Sequence, residues 1–354
     1  MKILFLSSAS NRHTERWVNG LVNEGIEIIL VSVHSITIDI DKSVTYYQLS
    51  PKAPFGYFLA KSELQRIIDI EKPDLLNAHY ASGYGFLIRN LKNVKTFLSL
   101  WGSDVYLFPN KSFLHKLLLI HNLKSATAIG STSNCMLKQA LSIYHHKLTY
   151  LTPFGINTDR FKPKSKSGSR SKLIIGTIKG LEDVYGIDIL IEVFNILIKK
   201  HDVDCELHIV GSGSKLNVYL KLVENYMLQN RVKFLGRFNE EEVIDKLNNI
   251  DIFCAFSRSE SFGVAVLEAA AMEIPVVVSD AEGLVEVTED GINGFVVQNN
   301  NIDIAVEKLL LLINNSSLRN EMGLKGREIV MRNYELKNTV NNMINIYEDI
   351  IFNN

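Results

Sequence analysis

The sequence predicts an α/β protein made of two Rossmann-like, doubly wound domains, each a parallel sheet flanked by helices. With 354 residues the chain is long for a single core and suits two domains of roughly 150 to 200 residues. Short β-rich runs alternate with helical patterns throughout, as in βαβ units. A polar, basic stretch at 164–172 separates two such series and is typical of an interdomain linker.

The apolar and β-branched runs of each series are predicted to be strands. The first series comprises 2–7, 27–33, 75–78, 95–100, 126–130 and 147–151. The second series comprises 173–177, 206–210, 232–235, 252–255, 275–279 and 294–297. We therefore expect one domain at 1–163, the linker at 164–172 and a second domain at 173–335. In the helical segment 336–354 that follows, the apolar stripe consists of Val340, Met343, Ile344, Tyr347 and Ile351.

Composition is that of an ordinary soluble globular protein, with 46% hydrophobic and 22% charged residues. Cys135, Cys205 and Cys254 are far apart and lack metal-ligand spacing, so no disulfide framework is predicted and a reducing cytoplasm fits. No window approaches 18 uninterrupted apolar residues, which predicts no transmembrane helix. The first ten residues are typical of a strand rather than of a signal peptide. A cytoplasmic protein is expected.

The net charge of −1 conceals a basic half and an acidic half. Residues 1–172 carry a net charge of +11 and residues 173–354 a net charge of −12. The basic half suits an anionic surface, and anionic lipid attracts each near-surface Lys or Arg by roughly 1 kcal/mol. Segments 55–58 and 111–124 mix aromatic or leucine residues with Lys and His, which suits either a membrane interface or an ordinary amphipathic core helix. Nucleic acid is disfavoured as a partner because the cations are scattered and no recognised binding module is present.

The most informative segment is 257–297. Glu260 precedes a Ser-Phe-Gly turn, and the composition after it predicts a helix from 264 to 272 that carries Glu268. Gly263 lets a ligand approach the main chain closely. The N–H groups of Phe262, Gly263 and Val264 can hold a diphosphate between the two carboxylates, which can grip hydroxyls. The pattern predicts a sugar-nucleotide site. For either glutamate alone, a helix cap or a solvated side chain is the simpler interpretation.

Specific motifs carry a family resemblance. The motifs are E-S-F-G-x-x-x-L-E-A-A-A, I-P-V-V-V-S-D, G-L-V-E-V and D-G-I-N-G-F-V-V, with further matches at 153–157, 186–188, 209–213 and 232–236. Together they resemble the donor-site signature of retaining glycosyltransferases of family four, in the GT-B class. The resemblance implies two Rossmann-like domains facing each other across a cleft, and a C-terminal helix that crosses back to the first domain.

The resemblance also implies roles for particular residues. Glu268 would hold the ribose hydroxyls, and Glu260 would contact the transferred sugar or lie near the leaving phosphate. Glu286 stands where the family has an acidic residue after a pair of glycines. Gly236 and Arg237 would border the nucleobase through main-chain groups. Gly211 follows a predicted strand and begins a G-x-G pattern that suits phosphate binding. A tight turn is the alternative interpretation of this pattern.

Charge builds on the departing diphosphate as the glycosidic bond breaks, and fixed cations and helix N-termini stabilise it. The family typically binds no metal and uses an Arg and a Lys, but here Thr177 and Tyr185 stand at those places. Lys179 is the nearby replacement. Arg258 is a second candidate, with a surface role as its alternative. No metal and no cofactor are expected, because the nucleotide-sugar is a substrate.

In the first half, His79 and Asp104 follow predicted strand ends and are candidate catalytic residues, although a lone histidine is often structural. Trp101 stands where the family usually has a histidine. Many members of the family have a glycine-rich loop after the first strand, and residues 11–13 would occupy its space in this chain. Thr14 is predicted to cap a helix that begins at Glu15.

The sequence thus predicts a retaining, metal-independent glycosyltransferase of cell-surface polysaccharide biosynthesis (O-antigen, capsule or exopolysaccharide). The donor would be a UDP- or GDP-sugar. The acceptor would be a glycan or an undecaprenyl-diphosphate-linked glycan, handled in the cytoplasm with an anionic membrane surface as a candidate partner. Two alternatives remain: a sugar-nucleotide epimerase of similar architecture, and a non-catalytic member of a biosynthetic complex.

Overall fold

The computed structural model describes residues 1–164 and 172–353. Most of the predicted linker, 165–171, lies outside the described residues. The chain forms two compact units, one comprising Met1–Gly155 with Leu336–Asn354 and the other Ile156–Glu335. Each unit contains one parallel sheet with helices packed on it, which confirms the predicted two-domain α/β architecture.

Within the described residues, the sheet of the first unit has seven strands. They are β1 (Lys2–Leu6), β2 (Glu27–Ser32), β3 (Thr45–Gln48), β4 (Leu75–His79), β5 (Lys95–Leu100), β6 (Ala128–Ser131) and β7 (Thr149–Leu151). All neighbours are parallel, in the order β3-β2-β1-β4-β5-β6-β7. The direction of winding reverses between β1 and β4, so the loops that follow these two strands diverge to opposite sides.

The helices of the first unit lie between its strands. They are α1 (Arg12–Asn23), α2 (Gly56–Leu59), α3 (Lys61–Glu71), α4 (Tyr84–Leu87), α5 (Ser103–Tyr106), α6 (Phe113–Ser125) and α7 (Asn134–Ile143), with a 3-10 turn at Pro109–Lys111. The central strands are buried because helices cover both faces, which explains their nearly continuous apolar sequence.

The predicted start of α1 is wrong. The N-cap is Asn11, whose Oδ1 accepts the His13 N–H at 2.8 Å, so the helix begins at Arg12. Thr14 lies inside the helix, fully buried, with its hydroxyl 2.8 Å from that of Ser7. Asparagine and threonine are both favoured at N-cap positions, and in this helix the earlier residue, Asn11, is the N-cap.

The second unit has a sheet of six strands within the described residues. They are β8 (Leu173–Ile178), β9 (Cys205–Val210), β10 (Val232–Phe234), β11 (Ile252–Ala255), β12 (Val276–Ser279) and β13 (Gly294–Val297). The order is β10-β9-β8-β11-β12-β13, and all neighbours are parallel. The winding reverses between β8 and β11, where an open α/β sheet usually binds its ligand.

The helices of the second unit complete its two covering layers. They are α8 (Ile187–His201), α9 (Leu216–Asn225), α10 (Glu240–Leu247), α11 (Val264–Ala271), α12 (Glu282–Val285), α13 (Ile302–Asn314) and α14 (Ser316–Asn333), with a 3-10 turn at Asp183–Tyr185. The twelve predicted strands are all present, and their ends differ by at most two residues. The short edge strand β3 was missed.

The final helix, α15 (Leu336–Phe352), packs on α1 and β5 of the first unit. Val340, Met343 and Tyr347 of the predicted stripe are buried, while Ile346 and Ile350 are buried in place of Ile344 and Ile351. In the part of the chain described here, no helix is both long and apolar enough to cross a bilayer.

Candidate functional site

Two loops meet at the winding reversal of the second sheet. One follows β8 and the other follows β11, and these strands are neighbours. Both loops leave the carboxyl edge of the sheet, so side chains far apart in the sequence come together. The candidate site is built on these two loops and on α11, which follows the second of them.

Lys179 and Glu260 form an ion pair between these loops, through Nζ and Oε2. Their side chains are only 9% and 14% exposed, so water screens the pair weakly. The Lys179 ammonium also lies 5.4 Å from the ring centroid of Tyr185. Burial raises the pKa of Tyr185, and the negative charge of Glu260 raises it further. The cation and the carboxylate predicted as separate site residues are therefore brought into direct contact.

Gly211 holds the backbone of Lys179 in place. A Cβ at position 211 would lie 1.8 Å from the Lys179 carbonyl oxygen, so no other residue fits without movement. The Lys179 N–H donates to the Val210 carbonyl at 3.0 Å, and the Gly211 N–H donates to the Gly236 carbonyl at 2.8 Å. Gly211 therefore packs directly against the backbone that carries the cation.

Gly236 and Arg237 follow β10 and are both exposed. Among the described residues, Arg237 makes no ion pair or side-chain hydrogen bond. Thr177, by contrast, is buried inside β8, and its hydroxyl has no hydrogen-bond partner in the described part of the chain. The structure thus does not bring Thr177 and Arg237 into the Lys179–Glu260 pair.

The loop after β11 leads directly into α11. Gly263, with φ of 102°, is the N-cap residue, and no side chain caps the helix within the described residues. The N–H groups of Val264 and Ala265 have no acceptor inside the helix and can bind an anion, whereas the Val266 N–H donates to the Gly263 carbonyl at 3.0 Å. Glu268 lies half-buried in this helix, and Phe262 is buried beside Tyr334 with 5.8 Å between ring centroids. The predicted loop position of Glu260 and helical position of Glu268 are confirmed.

Gly283 of α12 fixes the Glu260 loop from the other side. Its N–H donates to the Glu260 carbonyl at 3.1 Å. A Cβ there would lie 2.4 Å from the Phe262 nitrogen. Glu286 follows the same short helix, half-buried, and its carbonyl accepts the Tyr334 hydroxyl at 3.2 Å. The contact of Gly283 with the Glu260 loop was not predicted, because the two segments are not adjacent in sequence.

Arg258 has a structural partner. Its guanidinium binds both carboxylate oxygens of Asp188, at 2.9 and 2.6 Å, and donates to the Asp183 carbonyl. Asp188 lies in the first turn of α8, where a carboxylate is favoured by the helix dipole. Arg258 therefore braces the loop against α8, and Lys179 is the cation that contacts Glu260.

His79 ends β4 at the winding reversal of the first sheet. Its ring is fully buried and stacks on Phe5, with 4.1 Å between centroids, and its centroid lies 5.0 Å from that of Trp101. Neither ring nitrogen has a hydrogen-bond partner among the described residues. Burial lowers the pKa of His79 well below its ordinary value, so the ring is neutral at pH 7.

Asp104 is fully buried in the same unit and accepts backbone N–H groups. Ala81 and Gly102 donate to it at 2.8 Å, and Trp101 donates at 3.3 Å. Burial raises the pKa of Asp104 although these bonds oppose the rise. The carboxylate thus joins the loops that follow β4 and β5 and holds the backbone of Trp101.

Comparison with known proteins supplies independent information. The model of the family "Glycosyl transferases group 1" matches residues 158–329, and that of "Glycosyl transferase 4-like" matches residues 2–133. N-acetyl-alpha-D-glucosaminyl L-malate synthase of Bacillus anthracis is 23% identical over 93% of this chain and 88% of its own.

Two solved structures show the same fold. Sucrose-phosphate synthase from Thermosynechococcus elongatus superposes with a TM-score of 0.86 at 16% identity, covering all of both chains. Anabaena Alr3699/HepE in complex with UDP-glucose superposes with a TM-score of 0.79 at 15% identity, covering 98% of this chain and 100% of that one. At such identities the likeness establishes the architecture only.

Proposed function

Because this chain belongs to the glycosyltransferases of the group 1, family-four type with a GT-B fold, we propose that it transfers a sugar from a nucleotide-sugar donor with retention of configuration and without a metal ion. The acceptor is a glycan or an undecaprenyl-diphosphate-linked glycan in cell-surface polysaccharide synthesis. The reaction takes place in the cytoplasm.

The observation that carries this proposal is the Lys179–Glu260 pair beside the start of α11. In the proposed reaction the bond from the anomeric carbon to the diphosphate oxygen breaks, and the acceptor oxygen bonds to the same face of that carbon. The acceptor proton passes to the leaving diphosphate, so no protein nucleophile is needed. The Lys179 ammonium and the first-turn N–H groups of α11 stabilise the diphosphate charge. The Glu260 carboxylate accepts a hydrogen bond from a hydroxyl of the transferred sugar.

The donor is a UDP- or GDP-sugar in this proposal. Glu268 binds the ribose hydroxyls, and the main chain at Gly236 and Arg237 borders the base. The Anabaena protein that shares this fold was solved with UDP-glucose, so UDP-glucose belongs among the donors to be tested. A thermal-shift series with UDP-, GDP- and ADP-sugars identifies the base, because a ligand that binds only the folded state raises the melting temperature.

The net charge of the first half of the chain is the basis for the proposed acceptor. Residues 1–172 carry a net charge of +11, which favours an acceptor that bears phosphate. The relative from Bacillus anthracis is named for a product linked to malate. An acceptor screen should therefore include L-malate as a small hydroxyl acceptor beside undecaprenyl-diphosphate-linked glycans.

The decisive experiment incubates purified protein with the stabilising donor and these acceptors, with and without EDTA, and determines the anomeric configuration of the product by NMR. Transfer with retention in EDTA, lost in Glu260→Ala but kept in the exposed control Glu282→Ala, supports the proposal. An epimerised sugar without acceptor would indicate the epimerase alternative. Donor binding without any turnover would indicate a non-catalytic partner.

A further inference from the structure

Helix α6 (Phe113–Ser125) is apolar on two faces. Leu119 and Leu123 are buried in the core of the first unit. On the other side Phe113, Leu114 and Leu117 are 73%, 68% and 45% exposed. A helix that only covers a core has a polar outer face. The outer leucines and phenylalanine of α6 need another explanation.

A second exposed apolar group lies on and beside α2, namely Phe55, Phe58 and Leu59. The Phe58 ring packs against Phe86 of α4, with 4.8 Å between centroids. Arg89 lies over the Phe86 ring at 4.2 Å and donates to the Leu118 carbonyl of α6 at 2.8 Å. These contacts link α2, α4 and α6, so the two exposed groups lie on neighbouring helices of the first unit. We call Phe55, Phe58, Leu59, Phe113, Leu114 and Leu117 the apolar face.

The surroundings of the apolar face are cationic. Lys111, Lys116 and Lys124 are exposed on and next to α6. The sequence has no Asp or Glu from Val105 to Thr158. Asp104, which precedes this stretch, is buried and bound by backbone N–H groups. Lysines beside exposed phenylalanine and leucine, without carboxylates, are typical of a segment that lies in the headgroup region of a bilayer.

We propose that the apolar face docks the first unit on a membrane surface that contains anionic lipid. Phe113, Leu114, Leu117, Phe55, Phe58 and Leu59 enter the boundary between headgroups and acyl chains, and the lysines bind lipid phosphate. Charge complementarity favours this occupant over a second copy of the chain, because pairing two such faces would bring two basic halves together.

The inference deepens the proposed function by explaining how a lipid-linked acceptor is reached. Docking on a membrane needs neither donor nor turnover, so a vesicle-binding experiment tests the docking proposal separately from the proposed function. If vesicle binding is absent while transfer to a water-soluble glycan persists, only the docking proposal fails. If vesicle binding is present while no acceptor is glycosylated, only the proposed function fails.

The test is flotation of the purified full chain with vesicles of phosphatidylethanolamine and phosphatidylglycerol in equal amounts, and with vesicles of phosphatidylcholine alone. Binding to the anionic vesicles only, reduced by salt, is expected. The triple variant Phe113→Ser, Leu114→Ser, Leu117→Ser should bind on the order of 100-fold more weakly, because three apolar side chains no longer insert. The variant Lys111→Gln, Lys116→Gln, Lys124→Gln should lose a similar factor.

Matched controls come from the second unit. Val218, Leu220 and Met227 are exposed apolar residues, and Lys199, Lys200 and Lys221 are exposed cations. The same substitutions at these triplets remove three exposed apolar side chains, or three positive charges, and should leave vesicle binding unchanged. Melting temperatures confirm that all variants are folded. Equal loss in the controls, or no binding by the parent protein, would overturn the proposal. So would dimerisation in ultracentrifugation that only the Phe113 triple variant abolishes, because a second copy would then cover the face.

Discussion

Lys179 and Glu260 are 81 positions apart in the sequence, yet their charged groups are in contact at the carboxyl edge of the second sheet. Lys179 directly follows β8, and the loop that carries Glu260 follows the neighbouring strand β11. Because both side chains are largely shielded from water, each supplies the stabilisation that solvent cannot give the other. The pair is therefore important for stability as well as for the proposed chemistry.

We expect Lys179→Met to destabilise the protein by about 3 kcal/mol, because the Glu260 carboxylate remains shielded from water without its partner. Under the proposed function, the same change lowers kcat by on the order of 10²- to 10³-fold. Enzymes typically lose this much when one group that stabilises the charge of the transition state is removed. Urea denaturation and steady-state kinetics measure the two effects.

The double variant Lys179→Met, Glu260→Gln separates stability from catalysis. Removing both charges should restore most of the lost stability, since no uncompensated charge remains, while transfer stays absent. If the two stability losses simply add, the pair has no coupling energy in solution. If the double variant is active, neither residue takes part in the reaction.

We expect Gly283→Ala to weaken donor binding. The new methyl group would lie 2.4 Å from the Phe262 nitrogen and 2.6 Å from the Glu260 carbonyl oxygen, so the loop must move. Overpacking of this kind costs about 1 to 3 kcal/mol. Calorimetry at a temperature where both proteins are folded should give a higher donor Kd for the variant than for the parent protein. At Gly291 the added carbon meets no atom within 4 Å but φ is 74°, so Gly291→Ala is the control for backbone strain alone and should leave donor affinity unchanged.

Local sequence predicted most of the fold because the strands are continuous apolar runs in a covered parallel sheet. β3 was missed since Thr45 to Gln48 is short, polar at both ends and at the edge of the sheet. The start of α1 was misplaced because two capping residues, Asn11 and Thr14, compete within one turn. Such competition depends on side-chain contacts that a pattern does not contain.

The site was predictable where its elements are consecutive. Glu260, Gly263 and the start of α11 follow from turn and helix signals within a dozen residues. The partners of these residues were not predictable, because they come from other βαβ units. Arg258 binds Asp188, 70 positions away, and the sequence gives no sign of that contact.

We expect stability to fall as the pH drops below about 6.5. Burial lowers the pKa of His79 far below this ordinary value, and burial together with the Arg16 and Arg12 charges lowers the pKa of His13 to about 3. The unfolded chain therefore binds protons below pH 6.5 that the folded chain does not. Each such histidine costs up to about 1.4 kcal/mol of unfolding free energy per pH unit. Denaturation between pH 7.5 and roughly pH 5 measures this slope.

Replacing His79 with leucine should reduce the slope by the contribution of one histidine. The matched control is His121→Leu on the exposed side of α6, measured over the same pH range. An unchanged slope in the His79 variant would mean that solvent or another group satisfies the ring in solution, contrary to its complete burial.

The last prediction concerns the attachment of α15 to the first sheet. The Tyr347 hydroxyl donates to Asn77 Oδ1 at 2.6 Å, and both side chains are fully buried. The Asn77 amide nitrogen already donates to the Phe97 carbonyl and the Ser99 hydroxyl, so Tyr347 supplies the donor for its oxygen. Tyr347→Phe keeps the ring but leaves that oxygen unpaired, which should cost about 1 to 3 kcal/mol in urea denaturation. Tyr150→Phe removes the bond to Asp349 of the same helix, where the partly exposed carboxylate can bind water instead, and should cost less. An equal cost for the two changes would show that burial of Asn77 does not decide the strength of the attachment.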